Sequence, residues 1–181
     1  LGLTPLDFGL TGSAEAIPAL LEDAGFSVVS RWAMGSALEE LERAGEAGVN
    51  LVVSCAGLPA AEVLRRRFGT PWVAGVPIGE AFSETLAAAL REAARTGRCL
   101  CPAASRTGGE AAVIGESVYA GSLAAAIGAE YGVSCRVLCP VETDARVLAP
   151  CDVRATDEDE LTEALDGALH VIADPLYRPV C

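Results

Sequence analysis

The feature that most constrains this chain is an alternation of short apolar runs with longer segments of helical apolar period. Nearly continuous apolar runs of strand length occur at residues 49–55, 71–78, 111–115 and 133–141. Runs without polar alternation are typical of parallel strands that are buried on both faces. The alternation therefore predicts an α/β fold, with parallel sheets and helices on both faces.

The pattern stops at residues 97–109 and then starts again. This stretch has two cysteines, one proline and three glycines, and it lacks periodicity, so we interpret it as a linker. We predict two Rossmann-like units, residues 1–96 and 110–181. The predicted strands are 1–8, 26–33, 49–55, 71–78, 111–115, 133–141 and 169–173, and the predicted helices are 13–23, 37–47, 58–68, 81–95, 117–131 and 156–165. Residues 142–154 fit neither pattern.

Local signals mark several helix ends. Ser13 is a candidate cap, Ser36 and Glu39 have the spacing of a capping box, and Thr156 opens a similar sequence. Pro18 lies inside the first predicted helix, so we expect that helix to start late or to bend. Gly25 is placed where a glycine ends a helix.

Composition limits the partners and the compartment. The net charge is −12 and every basic residue is arginine, which argues against nucleic acid and against an anionic membrane surface. No apolar run reaches the roughly 18 residues that a membrane helix needs, and the first residues do not resemble a signal peptide. Seven cysteines, an odd number in a chain with an adequate core, indicate reduced thiols and a cytoplasmic protein. The chain lacks an initiator Met, and we expect it to be a fragment of a longer protein, with the second unit truncated at its C-terminal end.

Ligands in open parallel sheets bind beyond the carboxyl ends of the strands, where helix N-termini also point their amides. The small and polar residues at these ends are therefore our candidates for binding a cofactor. They are Ser54, Cys55, Gly57, Gly79, Glu116 and Ser117.

Cys55 is the candidate metal ligand, because a strand end beside a helix N-terminus favours the thiolate that metals bind. The alternative is an inert buried cysteine that ends a strand. Cys135 and Cys139 would lie about 13 Å apart on a strand, too far to share a metal, and the pair Cys99 and Cys101 lacks a matching second pair.

Other catalytic patterns are absent from the sequence. His170, the only histidine, lies within a strand away from its carboxyl end, so we interpret it as structural and define no catalytic triad. A chain without lysine cannot form a P-loop. The catalytic residues are therefore unknown.

Several segments, in this order, resemble the middle and third domains of nitrogenase component 1-type oxidoreductases. The segments are Leu1-Gly2-Leu3-Thr4-Pro5, Asn50-Leu51-Val52-Val53-Ser54, Arg67-Phe68-Gly69-Thr70-Pro71-Trp72, Gly75-Val76-Pro77-Ile78-Gly79, Val113-Ile114-Gly115-Glu116 and His170-Val171-Ile172-Ala173-Asp174-Pro175-Leu176.

The resemblance implies a nitrogenase/chelatase-like fold and a full-length parent that surrounds a metal–sulfur cluster. It also implies electrons from an ATP-dependent iron–sulfur reductase, and a homologous subunit in a dimer or heterotetramer. In the family's cofactor-holding subunit, a cysteine after the Asn-Leu-Val strand ligates the metallocluster. Cys55 lies at this place, about one residue out of register, and the family's other cluster ligands fall outside this sequence. We expect the fragment itself to be inactive and to retain no cluster.

The sequence leaves three alternative functions open. The first is a domain pair from a nitrogenase-like oxidoreductase that reduces a substrate the sequence does not identify. The second is a non-catalytic scaffold or binding module for a metal complex, a tetrapyrrole or another small ligand in the interdomain cleft. The third is an unrelated two-lobed α/β protein that binds a small molecule.

Overall fold

The computed structural model describes residues 1–3, 12–32 and 36–181. Over these residues, parallel strands form two sheets, one with two strands and one with four. Helices lie between the strands along the chain, which confirms the predicted α/β class.

The first sheet pairs β1 (Asn50–Val52) with β2 (Trp72–Ala74) in parallel. Backbone bonds extend this ladder on both sides. Leu1 bonds the outer edge of β1, since its N lies 2.8 Å from Leu51 O and its O accepts from Val53 N at 2.9 Å. Leu100 bonds the outer edge of β2, accepting from Ala74 N at 2.9 Å.

The described residues of this part of the chain form four helices: α1 (Ser13–Asp23), α2 (Leu38–Glu42), α3 (Leu58–Phe68) and α4 (Glu80–Thr96). The side chains of β2 point alternately to two helical layers. Val73 packs against Leu86 and Leu90 of α4, whereas Trp72 and Ala74 pack on the side of α3. Both faces of the first sheet are therefore covered.

The second sheet contains β3 (Ala111–Ile114), β4 (Cys135–Cys139), β5 (Val153–Arg154) and β6 (His170–Ile172), all parallel. Their order across the sheet is β5-β4-β3-β6. Helix α5 (Ser117–Tyr131) packs on the face that holds Val113 and Val137. Helix α6 (Glu158–Ala164) packs on the opposite face, against Ile114 and Leu138. Among the described residues, no helix is both long and apolar enough to cross a bilayer.

Helices that end at a glycine agree closely with the ends predicted from the sequence. Helix α3 ends at Gly69 (φ 75°) and α5 at Gly132 (φ 70°), both left-handed, and the two helices have the predicted bounds. After α1, Gly25 N donates to Glu22 O and Phe26 N donates to Leu21 O, both at 2.9 Å, which is the Schellman pattern.

The predicted caps near the beginning of the chain were wrong. Gly12, not Ser13, is the N-cap of α1, and Ala37, not Ser36, is the N-cap of α2. Pro18 lies inside α1, which begins five residues before it rather than late.

The capping box at α6 is shifted by one residue: Asp157 accepts from Glu160 N at 2.8 Å, and Glu160 accepts from Thr156 N at 2.9 Å.

The helix predicted at 37–47 ends at Glu42 and continues as a 3₁₀ turn over Arg43–Glu46. Glycine disfavours the α-helix, and a Cβ on Gly45 would stand 2.8 Å from the ring of Phe68. The absence of a side chain at Gly45 therefore lets Phe68, at the end of α3, approach this turn closely.

The strand predicted at 26–33 is absent over its described residues, 26–32, and residue 33 lies outside them. Polar groups of this segment bond to α2 instead of a ladder: Ser30 Oγ donates to Glu40 O at 2.6 Å, and Arg31 N donates to Glu40 Oε2 at 3.1 Å. The predicted strand at 1–8 lies mostly outside the described residues. Strands in both sheets are shorter than the apolar runs from which they were predicted. An apolar run shows which residues are buried, and not how many of them pair in a hydrogen-bonded ladder.

The stretch 97–109 packs against the rest of the chain. Pro102–Ser105 forms a 3₁₀ turn, and Arg106 Nη2 makes a 2.6 Å ion pair with Asp152. Asp152, 1% exposed, also accepts from Val137 N at 2.8 Å and Ala149 N at 2.7 Å. The division into units at 1–96 and 110–181 stays a prediction.

We predict that Asp152→Ala lowers the free energy of unfolding by about 3–5 kcal/mol, because it leaves a buried arginine unpaired. Glu46→Ala is the matched control. It removes an ion pair with Arg43 whose side chains are 60% and 59% exposed, and should change the free energy by less than about 1 kcal/mol. Urea unfolding followed by tryptophan fluorescence measures both, and equal effects would contradict the prediction.

Candidate functional site

Three of the predicted site residues lie where β1 ends. After Val52 the chain passes through Ser54 and a 3₁₀ turn over Cys55–Gly57 before α3 begins at Leu58. The hydroxyl of buried Ser54 donates to Gly2 O. A Cβ on Gly57 would lie 2.8 Å from the backbone of Leu1, so only glycine lets the two backbone segments approach.

The carboxylate of Glu116 joins this turn to the second sheet. One oxygen, Oε2, accepts from Val118 N at 3.1 Å and Tyr119 N at 3.0 Å, which caps α5. The other, Oε1, accepts from Cys55 N at 2.8 Å and from the hydroxyl of Ser117 at 3.1 Å. A single side chain therefore fixes both a helix N-terminus and the Cys55 backbone.

The sulfur of Cys55 accepts a hydrogen bond from a third part of the chain. Asp144 N donates to Sγ at 3.3 Å. Thr143 Oγ1 lies 3.6 Å from the sulfur, but its single O–H donates to Ser117 Oγ at 2.6 Å. The thiol is partly exposed, so it combines access with one backbone hydrogen-bond donor.

The structure brings five of the six predicted residues together: Ser54, Cys55, Gly57, Glu116 and Ser117. Gly79 lies elsewhere. It is the N-cap of α4, where Glu80 N donates to Glu130 Oε1 at 2.6 Å. Glu130 and Glu116 stand at opposite ends of α5, about 21 Å apart at the helical rise.

The other cysteines differ from Cys55 in their surroundings. Burial raises the pKa of Cys101 to about 11, and burial also raises the pKa values of Cys135, Cys139 and Cys151. These four thiols are therefore harder to ionise than a free cysteine, and the neutral thiol is a poor metal ligand. Within the described residues, no group of three or more His, Cys, Asp or Glu side chains is arranged to hold a metal ion. The residues described around Cys55 therefore do not form a complete metal site.

The sequence missed the segment that faces Cys55. Thr143 and Asp144 lie in the stretch 142–154, whose hydrophobic pattern is ambiguous because it folds as a 3₁₀ turn and a two-residue strand. Its place in the chain could have identified it. The stretch follows β4, and so lies at the carboxyl edge of the sheet, where the other candidate residues were found.

An arginine fixes the same segment to the first sheet. Arg146 Nη2 lies 2.7 Å from Asp144 Oδ2, and Nη1 bonds Glu62 Oε1 on α3. The guanidinium lies 5.4 Å from the ring centroid of Trp72, whose Nε1 donates to Glu62 at 3.0 Å. We call Arg146, Asp144, Glu62 and Trp72 the arginine clamp.

We predict that Gly57→Ala lowers the free energy of unfolding by about 1–3 kcal/mol, because the new methyl group meets backbone atoms that cannot turn away. Gly48→Ala is the control: a Cβ there meets nothing within 4 Å, and its effect should be near zero. Urea midpoints of the two variants test this, and a Gly57→Ala midpoint equal to that of Gly48→Ala would refute it.

The arginine clamp also predicts a pH dependence. Hydrogen bonds from Arg146 and Trp72 lower the pKa of Glu62 below its usual 4.5, and Arg146 lowers the pKa of Asp144 below 3.8. Carboxyl groups with a lowered folded pKa stabilise the fold at higher pH and lose that contribution as pH falls through the folded value. The difference in unfolding free energy between the unmodified chain and Arg146→Ala should therefore be full at pH 7 and shrink below about pH 4. Urea unfolding at pH 7 and pH 3 measures it; a difference that grows on acidification would be inconsistent with the clamp.

Comparison with known proteins points to one family. The family described as nitrogenase component 1 type oxidoreductase matches residues 3–132. The chain is 35% identical over 68 residues to the nitrogenase molybdenum-iron protein alpha chain of Azospirillum brasilense. That match covers 37% of this chain and 14% of the relative. No solved structure matches.

The family match spans most of the chain, including β1, the Cys55 turn, Glu116 and α5. It confirms the resemblance found in the sequence and removes the alternative of an unrelated two-lobed binding protein. The chain belongs to the nitrogenase component 1 type oxidoreductase family.

Proposed function

We propose that this chain is part of a larger oxidoreductase that binds a metal–sulfur cluster beside Cys55 and reduces a substrate. The observation that carries the proposal is the Cys55 sulfur, which is partly exposed and faces the Asp144 N–H at the end of a parallel strand. Family membership and a relative whose name includes molybdenum and iron support the same chemistry.

The residues near Cys55 fit one protein ligand of such a cluster. A thiolate sulfur is the ligand that iron–sulfur clusters take, and N–H and O–H donors to that sulfur stabilise its negative charge. When bound, the cluster would supply the storage and delivery of electrons. The chain's own contribution is to hold the sulfur in place: Glu116 fixes the Cys55 amide, and Asp144 N donates to Sγ.

The partners are part of the same proposal. The family suggests an ATP-dependent iron–sulfur reductase as electron donor, a homologous subunit, and a cytoplasmic location. All seven thiols are free, which is compatible with a reducing compartment. The remaining cluster ligands would come from parts of the parent outside this chain, since the match covers 14% of the relative.

Anaerobic reconstitution of the full-length parent tests the proposal. We expect the unmodified parent to bind iron and sulfide, and Cys55→Ser to lose most of that content because a thiolate ligand is missing. Cys181→Ser, at an exposed cysteine, should retain it. If the unmodified parent binds neither iron nor sulfide, the cluster proposal fails.

One observation favours a second function, a non-catalytic scaffold that holds a metal complex or another small ligand. Among the described residues, no His, Cys, Asp or Glu side chains join Cys55 in a group of three or more that could hold a metal ion. A Cys55→Ser parent that retained its full iron and sulfide content would favour the scaffold over direct ligation by Cys55.

A further inference from the structure

The segment that covers Cys55 belongs to the second sheet but is attached to the first. Residues 143–147, the covering segment, follow β4. Val147, 1% exposed, packs in the same core cluster as Val52 and Trp72. Thr143 and Asp144, at the other end of the segment, contact the Cys55 sulfur. The segment therefore crosses from one sheet to the other directly over the candidate site.

Arg146 provides the positive charge between the covering segment and α3. Its guanidinium makes a two-pronged contact with Asp144, with Nε 3.0 Å from Oδ1 and Nη2 2.7 Å from Oδ2. The remaining prong, Nη1, bonds Glu62 on α3. Asp144 and Glu62 are both acidic, so without the cation between them the covering segment and α3 would repel each other.

The contact reaches the sulfur through the backbone. Asp144 uses its side chain to bind Arg146 and its backbone N–H to donate to Cys55 Sγ at 3.3 Å. A fixed carboxylate restricts the torsions of its own residue, and thus the direction in which the N–H points. The hydrogen bonds of Arg146 go to Asp144 and Glu62 and not to the sulfur.

We infer that Arg146 is a positioning residue for Cys55: it holds the covering segment so that the Asp144 N–H faces the sulfur. This deepens the proposed function and rests on it for its meaning in the parent, where the same donor would face a ligating thiolate. Donors to a ligating sulfur are one of the means by which a protein tunes a metal–sulfur cluster.

Amide hydrogen exchange, measured residue by residue by NMR on the whole 181-residue chain, tests the inference. In Arg146→Ala, the Asp144 amide should exchange about tenfold faster, as expected from losing a partly exposed ion-pair network and a cation–π contact. The Cys55 amide is an internal reference, since it bonds Glu116 and not the covering segment. Its exchange rate should change less than about twofold.

Two further variants separate positioning from general stability. Arg65→Ala is the matched control: Arg65 also pairs with Glu62, at 4.0 Å, but lies on α3 and should leave the Asp144 amide unchanged. Arg146→Lys keeps the charge without the two-pronged geometry and should give an intermediate rate.

High salt provides a test that needs no variant. Because the clamp is partly exposed, 1 M salt should accelerate exchange at Asp144 of the unmodified chain, relative to the Cys55 amide. If Arg146→Ala fails to fold, this measurement decides alone. An Asp144 amide that is insensitive to salt and to Arg146→Ala, or one that accelerates only together with the Cys55 amide, overturns the inference. Neither result depends on iron or sulfide binding by the parent, so failure here is distinct from failure of the cluster proposal.

Discussion

The arrangement of the candidate site depends on the four hydrogen bonds that the Glu116 carboxylate accepts. Two come from the first turn of α5, one from the Ser117 hydroxyl, and one from the amide of Cys55. An ionised carboxylate at a helix N-terminus is favoured by the exposed amides and by the helix dipole. The same carboxylate reaches the end of β1, so local helix capping also places Cys55 against the second sheet.

Sequence patterns predicted the elements whose ends are set by local chemistry. Helices α3 and α5 have their predicted bounds because Gly69 and Gly132 end them in the left-handed conformation. Patterns failed where distant contacts decide, as at residues 26–32, whose polar groups bond α2 rather than a strand. The same holds for the residues of the candidate site. Their positions at strand ends identified Cys55 and Glu116, but no local pattern in the stretch 142–154 predicts that it folds over the sulfur.

The surroundings of the cysteines, rather than their number, single out Cys55. Burial keeps four of the others neutral by raising their pKa values, as in Cys101. Cys55 lies between the two sheets, and the Asp144 N–H of the covering segment is directed at its sulfur. Membership in the nitrogenase component 1 type oxidoreductase family gives this arrangement a chemical context, and we propose that its use is cluster binding in the parent.

The most direct test of this account is the exchange rate of the Cys55 amide when Glu116 is removed. The Ala74 amide, which bonds Leu100 O within the first sheet, is the reference. Losing a charged acceptor should make the Cys55 amide of Glu116→Ala exchange at least about tenfold faster relative to Ala74. An unchanged ratio of the two rates would contradict the central claim that Glu116 fixes Cys55 between the two sheets.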